Sequence, residues 1–284
     1  MSAANGTRAA VLGLGIIGSR ACARLVDAGW RVRCWNRTPK GLDGETSSPE
    51  DAIEGAAVIS IYLKDAPAVR EVVGAIADFL VPGQIVLNHA TLDLETTLWL
   101  EKTCVARGCR FLDAPFTGSK DASAAGQLFY YTGGDEGLAE GMASYLSVTG
   151  KGTLYCGAVG SATVVKLATN LISACSVQAM AEALAIVTRH GVTPERFIQA
   201  VSTNASASVL SGMKLPKMAA GDYETHFSLG NMGKDSRYML KLAQSAELET
   251  PAIAAVSKRM GELEAAGLGE LDFSAVAKPY FDKA

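Results

Sequence analysis

The chain has 284 residues, of which 49% are apolar, 19% charged and 9 proline. That is globular composition, enough for one or two domains with a sizeable core, and it excludes wholesale disorder and collagen-like repeats. Lys and Arg number 26 against 29 Asp and Glu, a net charge of −3, so the basic excess or basic block of a nucleic-acid binder is missing.

No uninterrupted apolar run reaches the roughly 18 residues of a membrane helix. The small, polar stretch Met1–Thr7 does not read as a secretory leader. Six cysteines, Cys22, Cys34, Cys104, Cys109, Cys156 and Cys175, are scattered without a CxxC pair, and His89, His190 and His226 show no ligand spacing. The expectation is buried reduced thiols in a cytoplasmic protein, with no disulfide framework and no metal site.

The first half alternates between strand and helix patterns. Arg8–Leu12 reads as a short apolar strand, Gly13–Gly18 as a glycine turn, Ser19–Ala28 as a helix stopped by Gly29, and Arg31–Trp35 as a second strand. Val58–Leu63, Ile85–Asn88 and Arg110–Leu112 read as further strands, with helices predicted at Pro67–Phe79 and Leu94–Arg107. Such repetition implies right-handed crossovers and a mostly parallel, doubly wound sheet covered on both faces. Gln127–Thr132 and Gly152–Tyr155 add strands near an edge. After about Gly160 the pattern becomes helical: Ser161–His190, Pro194–Val201, Ser206–Lys217, Gly233–Ala246 and Ile253–Ala266, with no strand beyond Tyr155. The predicted fold is therefore α/β, a Rossmann-type domain over residues 1–160 followed by an all-helical domain over 161–284.

Gly13-Leu14-Gly15-Ile16-Ile17-Gly18 is a complete GxGxxG. Its first glycine makes a tight turn, the second lets the backbone approach a pyrophosphate, and the third lets helix pack on strand. Amides at the helix start then face the anion. Dinucleotide sites for NAD usually place Asp or Glu at the end of the second strand, to hold the ribose 2′-hydroxyl. Here that place holds Trp35-Asn36-Arg37-Thr38, without a carboxylate. Arg37 offers a fork of donors suited to a phosphate, and Asn36 and Thr38 add neutral hydrogen bonds, so NADP (NADPH) is the expected cofactor.

Within the apolar stretch Ser161–Thr188, Lys166, Asn170 and Ser173 are spaced i, i+4, i+7 and share a helix face. A lysine on such a helix either snorkels to solvent or has a use; desolvation would prepare it for proton transfer near neutral pH.

With these residues in place, the chain resembles the β-hydroxyacid dehydrogenases, the family of 3-hydroxyisobutyrate and 6-phosphogluconate dehydrogenases, and most nearly its glyoxylate and succinic semialdehyde reductase branch. The resemblance runs through Gly13–Gly18, Trp35–Thr38, Asp113–Lys120, Gly126-Gln127-Leu128, Gly157–Asn170, Lys234-Asp235 and the tail Gly267–Val276. It implies that Lys166 is the catalytic lysine and Asn170 its substrate-orienting partner. It places the substrate carboxylate at Thr117 and Gly118, Thr91 at the nicotinamide ribose and substrate, Leu63 near the nicotinamide, and Lys234 near the cofactor. Phe227 and Asp235 would line the substrate site. Thr117-Gly118-Ser119 replaces the family's Ser-Gly-Gly and keeps the hydroxyl. His89, two residues before Thr91, is a departure that either reaches the substrate, serves structure or faces solvent.

The resemblance implies an oxidoreductase that reduces a small carbonyl acid with NADPH, with hydroxyacid oxidation as the reverse. It also implies a homodimer or homotetramer assembled through the helical half. Imine reduction shares this plan, but imine reductases generally replace the lysine, and a cofactor-holding scaffold would have lost it too.

Overall fold

The computed structural model describes residues 6–282; most of the Met1–Thr7 stretch lies outside them. Two compact units divide the chain, Met1–Lys166 and Leu167–Ala284.

In the first unit the strands and helices follow one another as β1 (Arg8–Leu12), α1 (Ile16–Asp27), β2 (Arg31–Trp35), α2 (Pro49–Ile53), β3 (Val58–Ile61), α3 (Ala66–Ile76), β4 (Ile85–Asn88), α4 (Leu94–Ala106) and β5 (Arg110–Asp113). They continue through β6 (Phe116–Thr117), α5 (Lys120–Ala124), β7 (Leu128–Gly134), α6 (Glu136–Leu146) and β8 (Gly150–Gly157). The parallel core of the sheet has the order β2-β1-β3-β4-β5. Every residue of β3 and β4 is buried, as expected where helices cover both faces of a parallel sheet. Val11, Leu25, Leu87, Leu112, Leu128, Tyr130 and Leu146 form its apolar core.

Beyond β5 the pattern changes. The chain turns through Pro115, so β5 and β6 pair antiparallel with β7, and β8 pairs parallel with β7. The sequence reading missed β6, α2, α5 and α6. Three are five residues or fewer, and α6 carries Gly137 and Gly141, which weaken a helical pattern. The strand predicted at Val58–Leu63 stops at Ile61, although Tyr62 N still donates to Leu12 O of β1 at 2.7 Å.

The long helix α7 runs over Ser161–Arg189. Its first turns stay with the N-terminal unit because Thr163 N and Oγ1 both donate to Asp113 Oδ2 at 2.8 Å. In the second unit follow α8 (Pro194–Ser202), α9 (Val209–Ala220), α10 (Leu229–Ser245) and α11 (Pro251–Leu263). A π-type turn at Glu264–Leu268, a 3-10 turn at Phe273–Ala277 and the short α12 (Lys278–Phe281) complete it. The strand predicted to end at Tyr155 runs on to Gly157, and a single antiparallel bridge joins Ser228 to Asp272.

Leu167, Ala174, Val177, Ala181 and Leu184 of α7 enter the core of the second unit with Leu215, Met239, Ile253 and Phe273. By length and mean hydropathy, 1.6 over its most apolar window, α7 would pass for a membrane span, contrary to the count of uninterrupted apolar residues. Long core helices meet the same criterion, and α7 lends a face to this core. Its opposite side leaves Ile172 and Ile186 exposed at 64% and 60%.

Candidate active site

The glycine turn is built by contacts that a side chain would break. Gly13 has φ +99°, its N–H donates to Trp35 O at 2.8 Å, and a Cβ there would lie 2.6 Å from Tyr62 O. A Cβ on Gly18 would overlap Gly13 O. Gly15 differs: a Cβ there would meet no protein atom within 4 Å. The protein itself does not demand that glycine, which fits a position kept bare for a ligand's approach.

Helix capping points the same way. A Ser or Asp side chain caps α2, α3, α4, α5 and α6, whereas α1 begins at Gly15 with no capping side chain. Among α1–α6, the helix start without a side-chain cap is the one at the glycine turn, as a dinucleotide pyrophosphate requires. These residues fit the cofactor that the motif implies.

At the end of β2, Asn36 accepts from Leu14 N at 2.9 Å and donates to Thr38 O at 2.7 Å. Its carboxamide ties the glycine turn to the β2 end, a positioning task that the sequence did not reveal. Arg37 is exposed and pairs with Glu71 Oε2 at 2.5 Å. Thr38 is exposed beside it.

Three loops leave the carboxyl ends of β3, β4 and β5. They carry Leu63 and Thr91, both half-buried, and lead to the exposed Thr117 at the end of the two-residue β6. In open α/β sheets this edge is where ligands bind. The Thr91 loop is braced by Asn88, whose side chain accepts from Ala90 N and donates to Ala90 O. Gly118 has φ +140°, and a Cβ there would lie 2.8 Å from Leu128 Cδ2, so the Thr117 turn needs glycine. Beneath these loops, Asp113 is fully buried; burial pushes its carboxyl up to about 6 despite the Thr163 bonds. His89 is 1% exposed and held near 4 by burial, so it is a neutral interior group rather than a solvent-facing one.

In the second unit, Asn170 is 8% exposed and its Nδ2 donates to Asp235 Oδ2 at 2.8 Å. Lys234 Nζ lies 2.9 Å from Asp235 Oδ1 and 5.1 Å from the centre of the Tyr238 ring. Asp235 thus joins Asn170 and Lys234, which the sequence had assigned separately to substrate and cofactor. By taking the amide nitrogen, it also fixes which way the Asn170 carbonyl oxygen points. Lys166 stands one turn before Asn170 on α7 and is half-buried. Phe227 packs edge-on against Phe273, with ring centres 5.9 Å apart.

One polar centre escaped the sequence reading altogether. Asp272 is fully buried and accepts from Lys214 Nζ at 2.6 Å, Ser274 N at 3.0 Å and Ser274 Oγ at 2.8 Å. It also accepts from His226 N and Phe227 N at 3.2 Å each, which anchors the Phe227 loop. Burial raises its carboxyl, but the Lys214 bond and charge and the Ser274 bonds overcome that and hold it below the usual range. The only sequence signal was the Asp-x-Ser step in the tail.

Among the described residues no group of three or more His, Cys, Asp or Glu is placed to hold a metal ion. Cys22, Cys34, Cys104 and Cys109 are buried, whereas Cys156 and Cys175 are only half-buried because β8 and the outer side of α7 leave them partly uncovered.

Comparison with known proteins agrees with this architecture. Residues 8–160 match the family described as the NAD binding domain of 6-phosphogluconate dehydrogenase, and residues 160–280 the family described as NAD-binding of NADP-dependent 3-hydroxyisobutyrate dehydrogenase. Glyoxylate/succinic semialdehyde reductase 2 (chloroplastic) of Arabidopsis thaliana is 32% identical over 93% of this chain and 77% of its own. Glyoxylate/succinic semialdehyde reductase 1 of the same plant is 30% identical over 93% and 95%. The solved structure of Mycobacterium tuberculosis 3-hydroxyisobutyrate dehydrogenase with L-serine shares the fold, with a TM-score of 0.89, 23% identity and coverage of 97% and 99%. The chain belongs to the 3-hydroxyisobutyrate dehydrogenase-like β-hydroxyacid dehydrogenases, a family of NAD(P)-dependent oxidoreductases.

Proposed function

We propose that the protein reduces a small carbonyl acid, of the glyoxylate or succinic semialdehyde kind, with NADPH and with Lys166 as proton donor. The observation that carries this reading is the Asn170–Asp235 bond one helical turn from Lys166. A buried amide clamped by a carboxylate has one orientation, which is what a substrate-orienting group needs.

A bound reduced nicotinamide supplies the hydride. Lys166, as an ammonium, gives a proton to the carbonyl oxygen as negative charge develops there, and takes it back in the oxidative direction. Asn170 holds the substrate so that this oxygen is presented to the lysine. Thr117 and the Gly118 turn hold the substrate carboxylate. Leu63, Thr91 and Lys234 contact the cofactor, and Phe227 and Asp235 border the substrate. The preference for NADPH rests on Arg37 and on the absence of a carboxylate from Trp35–Thr38.

Assembly as a dimer or tetramer is supported by the exposed Ile172 and Ile186 on α7. Six thiols without a disulfide suit a reducing compartment such as the cytoplasm.

The test is a panel of carbonyl acids, neutral aldehydes and cyclic imines, with NADPH oxidation followed by absorbance. Turnover confined to carbonyl acids supports the reading, whereas a preference for uncharged aldehydes or imines refutes it.

A further inference from the structure

The sequence leaves the role of His89 open, and the structure gives it unusual surroundings. Its main-chain N–H donates to Ile61 O at 2.9 Å, and its ring stacks on Tyr62 with centres 4.4 Å apart and planes 24° from parallel. Nδ1 lies 2.8 Å from Ala114 O, and Nε2 lies 3.3 Å from Ser60 Oγ. One imidazole therefore touches the ends of β3, β4 and β5 together.

The hydrogen positions follow from the partners. A carbonyl oxygen only accepts, so Nδ1 carries the proton and donates to Ala114 O. The ring is neutral, held so by burial, and Nε2 is then an acceptor. Ser60 must donate to it, and Tyr145 OH, 2.9 Å from Ser60 Oγ, must donate to Ser60. A second chain runs beside the first. Thr149 donates to Leu146 O at 3.3 Å, so it accepts from Tyr130 OH at 2.8 Å, and Tyr130 accepts from Tyr62 OH at 3.1 Å. Each chain ends on a main-chain carbonyl, and each has one direction.

The loops that follow these strand ends begin at once. Tyr62 precedes Leu63, His89 stands two residues before Thr91, and Ala114 stands three before Thr117. We propose that His89 is a positioning residue for the reaction: as an Nδ1-protonated imidazole it fixes the register of the three segments that leave β3, β4 and β5 and carry Leu63, Thr91 and Thr117. The proposal rests on the function proposed above for those loops. Other side chains lack the combination the place demands. Phenylalanine would keep the stack on Tyr62 but leave Ala114 O and Ser60 Oγ without the ring's bonds. Asparagine can set an amide nitrogen where Nδ1 sits, whereas glutamine reaches the Nε2 place.

The test combines kinetics with nitrogen NMR. His89→Phe should lower kcat/KM on a carbonyl acid by about 10²-fold, the scale of an ångström-level misplacement. NADPH affinity should fall too, but by well under the loss in kcat/KM, because Leu63 and Thr91 touch the cofactor while the Gly13–Gly18 main chain that holds its pyrophosphate keeps its own bond to Trp35 O. His89→Asn should recover more of the loss than His89→Gln, since the Ala114 bond sets the Thr117 loop, and the recovery should not follow thermal stability. The 15N shifts of His89, assigned by its loss in the Asn variant, should show a neutral Nδ1–H tautomer at pH 7. An Nε2–H tautomer, or a Phe variant with unchanged kcat/KM in an otherwise active protein, overturns the positioning role. A wild-type protein without turnover on any carbonyl acid overturns the reading of the reaction instead, and the tautomer measurement still reads the ring by itself.

Discussion

The glycine turn of the first unit and the buried polar pairs of the second hold their groups in opposite ways. In the N-terminal unit the cofactor cradle is main chain: Gly13 and Gly18, where a side chain would clash, a bare Gly15, and a helix start without a cap. In the C-terminal unit the polar features are buried side chains: Asn170 clamped by Asp235, and Lys214 paired with Asp272. A backbone cradle is specified by neighbours in sequence and tolerates no added atom. A side-chain clamp is specified by partners far apart and fails by losing a charge or a hydrogen bond. Substitutions in the two units should therefore fail differently.

The largest effect belongs to the cradle. Gly18→Ala forces a methyl group onto Gly13 O, and the first unit should lose about 4–5 kcal/mol or more in urea unfolding. A soluble variant with unchanged unfolding and NADPH affinity would break the comparison. Lys214→Met comes close behind, because it strands the Asp272 carboxylate in the interior. A cost of about 3–5 kcal/mol is expected, with circular dichroism following the loss. If the loss is below about 1 kcal/mol, the range of exposed pairs, then the pair does not anchor the Phe227 loop.

A third prediction uses pH. The His89 imidazole, at about 4 in the folded chain, sits below the unfolded value near 6.5. The unfolded chain therefore takes up a proton first, and stability falls as pH drops from about 6.5 to about 4. Asp113, at about 6, sits above the unfolded value near 3.8. The folded chain keeps its proton longer, so stability falls as pH rises from about 4 to about 6. Each slope amounts to about 3 kcal/mol, and the two oppose each other. Relative to wild type, His89→Asn should lose stability as pH rises from 4 to 6, and Asp113→Asn should gain it. Urea midpoints at the two pH values decide; slopes of the same sign would contradict the assigned environments.

The smallest structural effect should come from Arg37→Ala. Its pair with Glu71 is exposed on both sides, so stability should change by less than about 1 kcal/mol. The ratio of NADPH to NADH use should nevertheless fall. An unchanged ratio would remove the phosphate from the argument.

How much of this could be read from the residues follows the same division. The glycine turn, the strands β1, β2 and β4 and the long helix α7 were legible, because spacing and period act over a few neighbours. The Lys166–Asn170 spacing was legible for the same reason. Asp272 was not, since its lysine lies 58 residues away in the chain. The bracing task of Asn36 was not, because nothing local shows that Leu14, 22 residues back, uses its oxygen. His89 looked idle because the groups it joins, Ser60 and Ala114, come together only when three strands align. The short helices α2 and α5 and the two-residue β6 lack enough turns or pairs to leave a periodic trace.

The most direct test is the single-turnover reduction of glyoxylate or succinic semialdehyde by NADPH-loaded protein, wild type against Lys166→Ala. Loss of about 10²–10⁴-fold in the rate, with NADPH still bound at its wild-type affinity, is the predicted result. A variant that reduces the substrate at nearly the wild-type rate would show that the proton comes from another group.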